Sequence, residues 1–79
     1  MVISSKEQHP PLTAREVDVL RQIAARQSNK LIARKLGLSV RTVETHRMNI
    51  KRKLGLTGHA ELVRYALAHM APAHGDSQS

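Results

Sequence analysis

The sequence predicts an all-α fold, a compact four-helix domain packed much like a bundle. Three observations predict it. Apolar residues recur at helical spacing in four successive segments between about residues 12 and 70. Glycine, or a serine or threonine able to cap a helix, stands at most of the boundaries between them. No stretch alternates at period two, so strands are not expected.

The first helix is expected to begin at Thr13. Glu16 stands three residues on and completes a capping box, and Leu12 occupies the staple position. Val17, Leu20, Ile23 and Ala24 then repeat at helical spacing, and the helix should run to about Ala25 or Arg26. The second helix is short. Ser28 is its cap, Leu31, Ile32, Ala33 and Leu36 are its apolar residues, and Gly37 ends it where a left-handed backbone costs least. Leu38 supplies the hydrophobic contact of that turn. The third helix is capped by Ser39 and stopped by Gly55. Val43, Ile50 and Leu54 form its inner stripe, while Arg41, Glu44, Thr45, Met48, Lys51 and Arg52 take the other faces. A helix of about fifteen residues exceeds what packing in so small a domain requires, so one flank should be free. The fourth is read as capped by Thr57, with Gly58 in its first turn, and as running to Met70. Leu62, Val63, Ala66, Leu67 and Met70 make its apolar side. Val17, Leu20, Ile32, Val43, Ile50 and Leu54 are the expected core. Residues 1–11, closed by Pro10 and Pro11, read as a tail or linker, and residues 71–79 as a disordered tail.

With 79 residues the chain makes one small domain with a modest core. It has no cysteine, which removes disulfides and cysteine-based zinc sites. His9, His46, His59, His69 and His74 are scattered without ligand-like spacing, so no metal and no cofactor is expected. Tyr65 alone represents Phe, Tyr and Trp, which argues against a stacking platform for single strands. Residues 1–8 contain no long apolar run, hence neither a secretory signal nor a membrane span. A cytoplasmic location is the default expectation.

Charge is the most telling property. Arg26, Lys30, Arg34, Lys35, Arg41, Arg47, Lys51, Arg52 and Lys53 lie within 28 residues against the single acid Glu44, a local charge of +8 where the whole chain carries +7. This charge covers two helices joined by the turn Gly37-Leu38-Ser39, the electrostatic and geometric outline of a helix-turn-helix reader of double-stranded DNA. An α-helix fits the major groove, where each base pair shows its own donor and acceptor pattern. The first half of the third helix offers Glu44, Thr45 and Met48 as base contacts. Glu44 can accept from cytosine N4, and the methyls of Thr45 and Met48 can meet a thymine methyl. Lys30, Ser39, Arg41, Thr42, Arg47 and Lys51 are the candidate phosphate contacts, with Arg47 equally able to reach a guanine. Glu44 either reads a base, orients Arg41, Arg47 or Lys51, or makes an ordinary surface pair with Arg47. His46 is divided between packing and a phosphate contact. Arg34, Lys35, Arg52 and Lys53 can equally be solvated charges.

Two other functions are open to such a surface. The basic face can dock an acidic protein, RNA polymerase among them. An enzyme is disfavoured, because no nucleophile, base and orienting group stand at meaningful spacing and no phosphate loop is present.

The same residues carry a family pattern. Leu12-Thr13, Arg15-Glu16 and Val19-Leu20 open it; Ser28-Asn29-Lys30, Ile32-Ala33 and Leu36 continue it; Leu38-Ser39, Thr42-Val43-Glu44, His46-Arg47, Ile50 and Lys53-Leu54 complete it. Over about residues 12–70 the chain resembles the LuxR-type helix-turn-helix domain found at the C-terminus of NarL/FixJ response regulators. The resemblance implies four helices with the third as recognition helix, base-facing positions at Glu44, Thr45 and Met48, and phosphate contacts from Lys30, Thr42, Arg47 and Lys51. It also implies a homodimer on DNA through the last helix, for which Val63, Leu67 and Met70 are candidates. Two positions depart from the pattern: Arg26 stands where the family often has glycine, and Leu31 where it often has glutamate. A receiver domain of more than about a hundred residues does not fit within this sequence. The sequence therefore reads as the DNA-binding half of a longer regulator with residues 1–11 as linker, ahead of a stand-alone regulator. Neither Asp18 nor Asp76 is offered as the phosphorylated aspartate of such a system.

Overall fold

The structure is a computed structural model that describes residues 12–70. The tails expected over 1–11 and 71–79 lie outside the described residues. Four helices follow one another: α1 (Ala14–Ala24), α2 (Asn29–Leu36), α3 (Val40–Leu54) and α4 (His59–Met70). The described residues hold no strand, as the missing period-two pattern implied. α1 packs against α4 and α3, and α2 packs against α3, so α3 is held from one side by both.

Each start has a local cause. Thr13 Oγ1 accepts from the Glu16 amide at 3.1 Å, and Glu16 Oε1 accepts from the Thr13 amide at 2.9 Å, closing the capping box of α1. Ser28 Oγ accepts from the Leu31 amide at 3.1 Å, and Ser39 Oγ from the Thr42 amide at 3.0 Å. The fourth start differs from the expectation. α4 begins at His59, and the Gly58 carbonyl accepts from the Leu62 amide, so Gly58 stands at the cap position outside the helix. Thr57 instead donates its amide to Glu61 Oε1 at 2.9 Å.

Three helix ends close in the same way. Gly37 and Gly55 adopt φ of 71° and 70°, and the amides of Leu38 and Leu56 return to the carbonyls of Ala33 and Lys51, both at 2.8 Å. After α1, one or two residues earlier than expected, Arg26 takes φ of 61° and the Gln27 amide returns to the Gln22 carbonyl at 3.1 Å. Each is the left-handed closure that satisfies orphan carbonyls. At Arg26, however, a side chain occupies a conformation that disfavours a Cβ by about 1–2 kcal/mol.

The core consists of Val19, Leu20, Ile23, Ala24, Ile32, Ala33, Val43, Ile50, Leu62 and Ala66. The expected Val17 is only half-buried. Val19 takes its place, fully buried, because the buried stripe of α1 runs Glu16, Val19, Leu20, Ile23 and lies one valine further round the helix. Leu54 is likewise half-buried, packed on the edge of the core with Leu12, Leu36, Leu38 and Leu56.

Glu16 is the buried charged residue of this core, 3 % exposed. Lys53 Nζ donates to its Oε1 at 2.8 Å across 37 residues of sequence. Lys53 is therefore a structural cation, correcting its reading as a possible solvated charge. Burial alone would raise the Glu16 carboxyl. The hydrogen bonds from Lys53 and the Thr13 amide, with the charges of Lys53 and His46, outweigh it and hold the group below its ordinary value. His46 is half-buried on this side of α3, and its Nδ1 is enclosed without a partner among the described residues. That is the packed role of the two weighed for it.

Arg26→Gly should stabilise the domain by about 0.5–1 kcal/mol, since relief of the left-handed strain exceeds the added freedom of the unfolded chain. Gly37→Ala should destabilise it by about 1 kcal/mol. A methyl there meets no atom within 4 Å, so the cost is conformational alone. Urea unfolding of the two variants checks both signs. Glu16 adds a pH dependence. Its folded pKa is depressed, so its contribution is present above the unfolded value of about 4.3 and is lost as the pH falls through the lower folded value. Unfolding followed from neutral pH downward should show stability declining below about pH 4, and Glu16→Gln should start less stable and decline less.

Candidate nucleic-acid interface

α3 owes its shape to its two sides. Val43 and Ile50 are fully buried and Lys53 points to Glu16, which fixes the inner side. The outer side is left open. Val40, Arg41, Glu44, Thr45, Met48 and Arg52 are exposed along it. Val40, Glu44 and Met48 fall at i, i+4 and i+8 and so form one row. Met48 is 61 % and Val40 39 % exposed, the two exposed large hydrophobics of the described residues, and both flank Glu44. Apolar groups on the open side of a basic helix are suited to contact a thymine methyl. Val40 was absent from the base contacts expected from sequence, although its spacing from Glu44 was the available signal.

The polar groups of the expected site have defined states. Ser39 Oγ accepts from the Thr42 amide and donates to Thr42 Oγ1 at 2.9 Å, so its hydroxyl serves the cap, while the Thr42 hydroxyl keeps its own proton to donate. Thr45 Oγ1 donates to the Arg41 carbonyl at 3.1 Å, which engages its hydroxyl and leaves its methyl for contact. Glu44 makes no ion pair or hydrogen bond among the described residues. Pairing with Arg41, Arg47 or Lys51 is thus not what occupies it here. Lys30 is exposed near the start of α2, and Lys51 is half-buried in the last turn of α3. There, with Arg52 and Lys53, it also complements the negative end of the helix.

Arg47 makes a contact that the sequence reading did not include. It is half-buried, and its Nη2 lies 2.8 Å from Nδ1 of His59 at the start of α4. Burial holds its pKa below the ordinary value. The guanidinium has donors only, so the imidazole must accept with its proton on the other nitrogen. Arg47 lines two depressions. One is shared with Asn29, Glu44, Met48 and Lys51 on the open face of α3. The other is a cleft of about 570 Å³ bounded by the end of α1, the start of α2 and α4. His59 carries no periodic relation to Arg47, and no sequence signal pointed to it.

The dimer candidates lie on α4. Val63 and Met70 are packed in part against the core, and Leu67 is half-buried. Ala60, Glu61, Arg64, Ala68 and His69 are the exposed residues of that helix beyond His59. Tyr65 stacks on His69 with ring centroids 4.1 Å apart. Asp18 pairs with Arg15 at 3.5 Å, and Asp76 lies outside the described residues. Among the described residues no group of three or more ligand-type side chains could hold a metal, and no helix is long and apolar enough to cross a membrane.

Residues 10–66 match the family described as "Bacterial regulatory proteins, luxR family". The chain is 55 % identical over 64 residues to the transcriptional regulatory protein MctR of Rhizobium johnstonii, covering 81 % of this chain and 30 % of the relative. It is 51 % identical over 59 residues to the Fimbriae Z protein of Salmonella typhimurium, covering 75 % and 28 %. It is 52 % identical over 56 residues to the oxygen regulatory protein NreC of Staphylococcus aureus, covering 71 % and 26 %. The chain thus spans less than a third of the length of these relatives. No solved structure matches it. With four helices, a basic third helix open on one side and a match over most of its length, the chain belongs to the luxR family of bacterial regulatory proteins, whose helix-turn-helix domains are non-catalytic, bind DNA as dimers and regulate transcription.

Proposed function

We propose that this chain is the output domain of a two-component response regulator, acting in the cytoplasm and binding a specific duplex sequence as a homodimer. The observation that carries the specific reading is the row Val40, Glu44 and Met48 on the open side of α3. An unpaired carboxylate in a field of cations weakens non-specific attraction to phosphate. Its position is accounted for when it accepts from a cytosine amino group with methyl-reading side chains on either side.

Around this row, Lys30, Arg41, Thr42, Arg47 and Lys51 grip the backbone. Ser39 contributes through the helix start that it caps. α4 supplies the dimer contact, with Val63, Leu67 and Met70 at its inner edge. The response-regulator role rests on the resemblance to the NarL/FixJ output domains and on relatives more than three times as long as the matched segment. The phosphorylated aspartate belongs to a domain outside this sequence. Contact with RNA polymerase is compatible with the same domain.

Selection of duplexes from a random pool, followed by binding at two salt concentrations, tests the reading. A consensus should emerge, and affinity for it should fall steeply with salt as condensed ions are released. Glu44→Ala and Met48→Ala should each relax the preference at one or two base pairs, by about 1–3 kcal/mol of discrimination. Lys30→Ala should weaken all duplexes alike and lower the salt slope by about one. Recovered sites that bind no better than random duplex would replace sequence-specific reading with docking to an acidic partner.

A further inference from the structure

The cleft beside Arg47 is built from residues that the sequence scatters. Arg26 and Gln27 come from the turn after α1, Ser28 and Asn29 from the start of α2, Arg47 from α3, and His59 from α4. It holds two arginines and no carboxylate. Arg47 is half-buried within it, yet its recorded partner is a neutral ring nitrogen rather than an acid. A cation taken partly out of water gains little from such a partner in the absence of an anion. Arg26 raises the local charge further, in a backbone conformation that a glycine would occupy at lower cost. Asn29 and Arg47 also line the groove of the reading face, so the cleft adjoins it.

We propose that His59 is a positioning residue for DNA binding: its Nδ1 accepts from Arg47 and aims that guanidinium into the cleft, where with Arg26 it seats one phosphate of the duplex backbone. This rests on the DNA-binding reading above and settles the two roles weighed for Arg47 in favour of phosphate. The hydrogen bond occupies one donor of a guanidinium that has five, leaving the others for phosphate oxygens. A flexible arginine tied at one edge loses less freedom when it binds, so the tie strengthens the contact without touching the ligand. His59 sits at the first residue of α4, the helix of the proposed dimer contact, so the position of α4 sets the position of Arg47.

The test uses the full chain and its selected duplex, with thermal unfolding run on every variant. Asn places an acceptor close to where His59 presents Nδ1, whereas Gln places its acceptor further out. His59→Ala should weaken binding about tenfold, the scale of one charge-assisted hydrogen bond, and lower the salt slope by about one. His59→Asn should restore most of that loss and His59→Gln should not. In an Arg47→Ala background, His59→Ala should have no further effect. Binding by His59→Ala within twofold of the unaltered chain would overturn the proposal. So would an undiminished effect without Arg47, or rescue by Gln as complete as by Asn. If the unaltered chain binds no duplex at all, the DNA-binding reading fails along with it. If it binds and these variants behave alike, only the role of His59 is lost.

Discussion

The carboxylate of Glu16 joins two things that the fold must hold together, the start of α1 and the end of α3. One oxygen receives the Thr13 amide and the Lys53 ammonium, so a local cap and a tie across 37 residues meet at one atom. α3 is gripped only from its inner side, and its outer side stays open to solvent. Val43 and Ile50 supply the apolar part of that grip and Lys53 the directional part. A buried carboxylate without its cation would be strongly unfavourable, which ties the angle of α3 against α1 to the pairing. His46 packs on the same side of α3, with its Nδ1 enclosed.

The turns are a second constraint. Residues in the left-handed conformation close three successive helices and return the following amide to the same carbonyl position. In the turn between α2 and α3, Gly37 and Leu38 complete this closure and Ser39 immediately caps the next helix. That compresses the change of direction into three residues and sets the crossing of the two helices. At the end of α1 the job falls to Arg26. A glycine would close the helix equally well at lower backbone cost, whereas Arg26 also brings a charge to the lining of the cleft.

The open face of α3 is organised by what its side chains are not doing. Glu44 makes no ion pair, the Thr45 hydroxyl is engaged by the backbone, and Met48 and Val40 have no apolar neighbourhood to enter. Each is left with one chemical feature pointing outward: an acceptor, a methyl, a thioether and a branched alkyl group. The cations around them are held in different ways. Lys53 is drawn inward to an acid, Arg47 sideways to a ring nitrogen, and Arg41 and Arg52 remain in solvent. Nine basic residues that look alike as a run of charge therefore divide into structural, positioned and free groups.

Local rules made much of this legible. The capping box of Thr13 and Glu16, the caps at Ser28 and Ser39 and the glycine stops at Gly37 and Gly55 all act within a few residues, and all stand where the sequence placed them. The exposure of Glu44, Thr45 and Met48 followed from the helical period together with the inner stripe Val43 and Ile50. The misreadings have two origins, one distant and one local. Val17 and Val19 both fit a helical stripe with Leu20, and only the placement of α3 and α4 selects Val19. Gly58 could start a helix or precede one, and the Gly58–Leu62 hydrogen bond decides. So the sequence by itself determined the four helices, most of their caps and stops and the cationic open side of α3, because those depend on neighbours three or four residues apart. Only the tertiary structure decided that Lys53 belongs to Glu16 and Arg47 to His59, because those pairings join residues 37 and 12 positions apart and exist only once α1, α3 and α4 have packed.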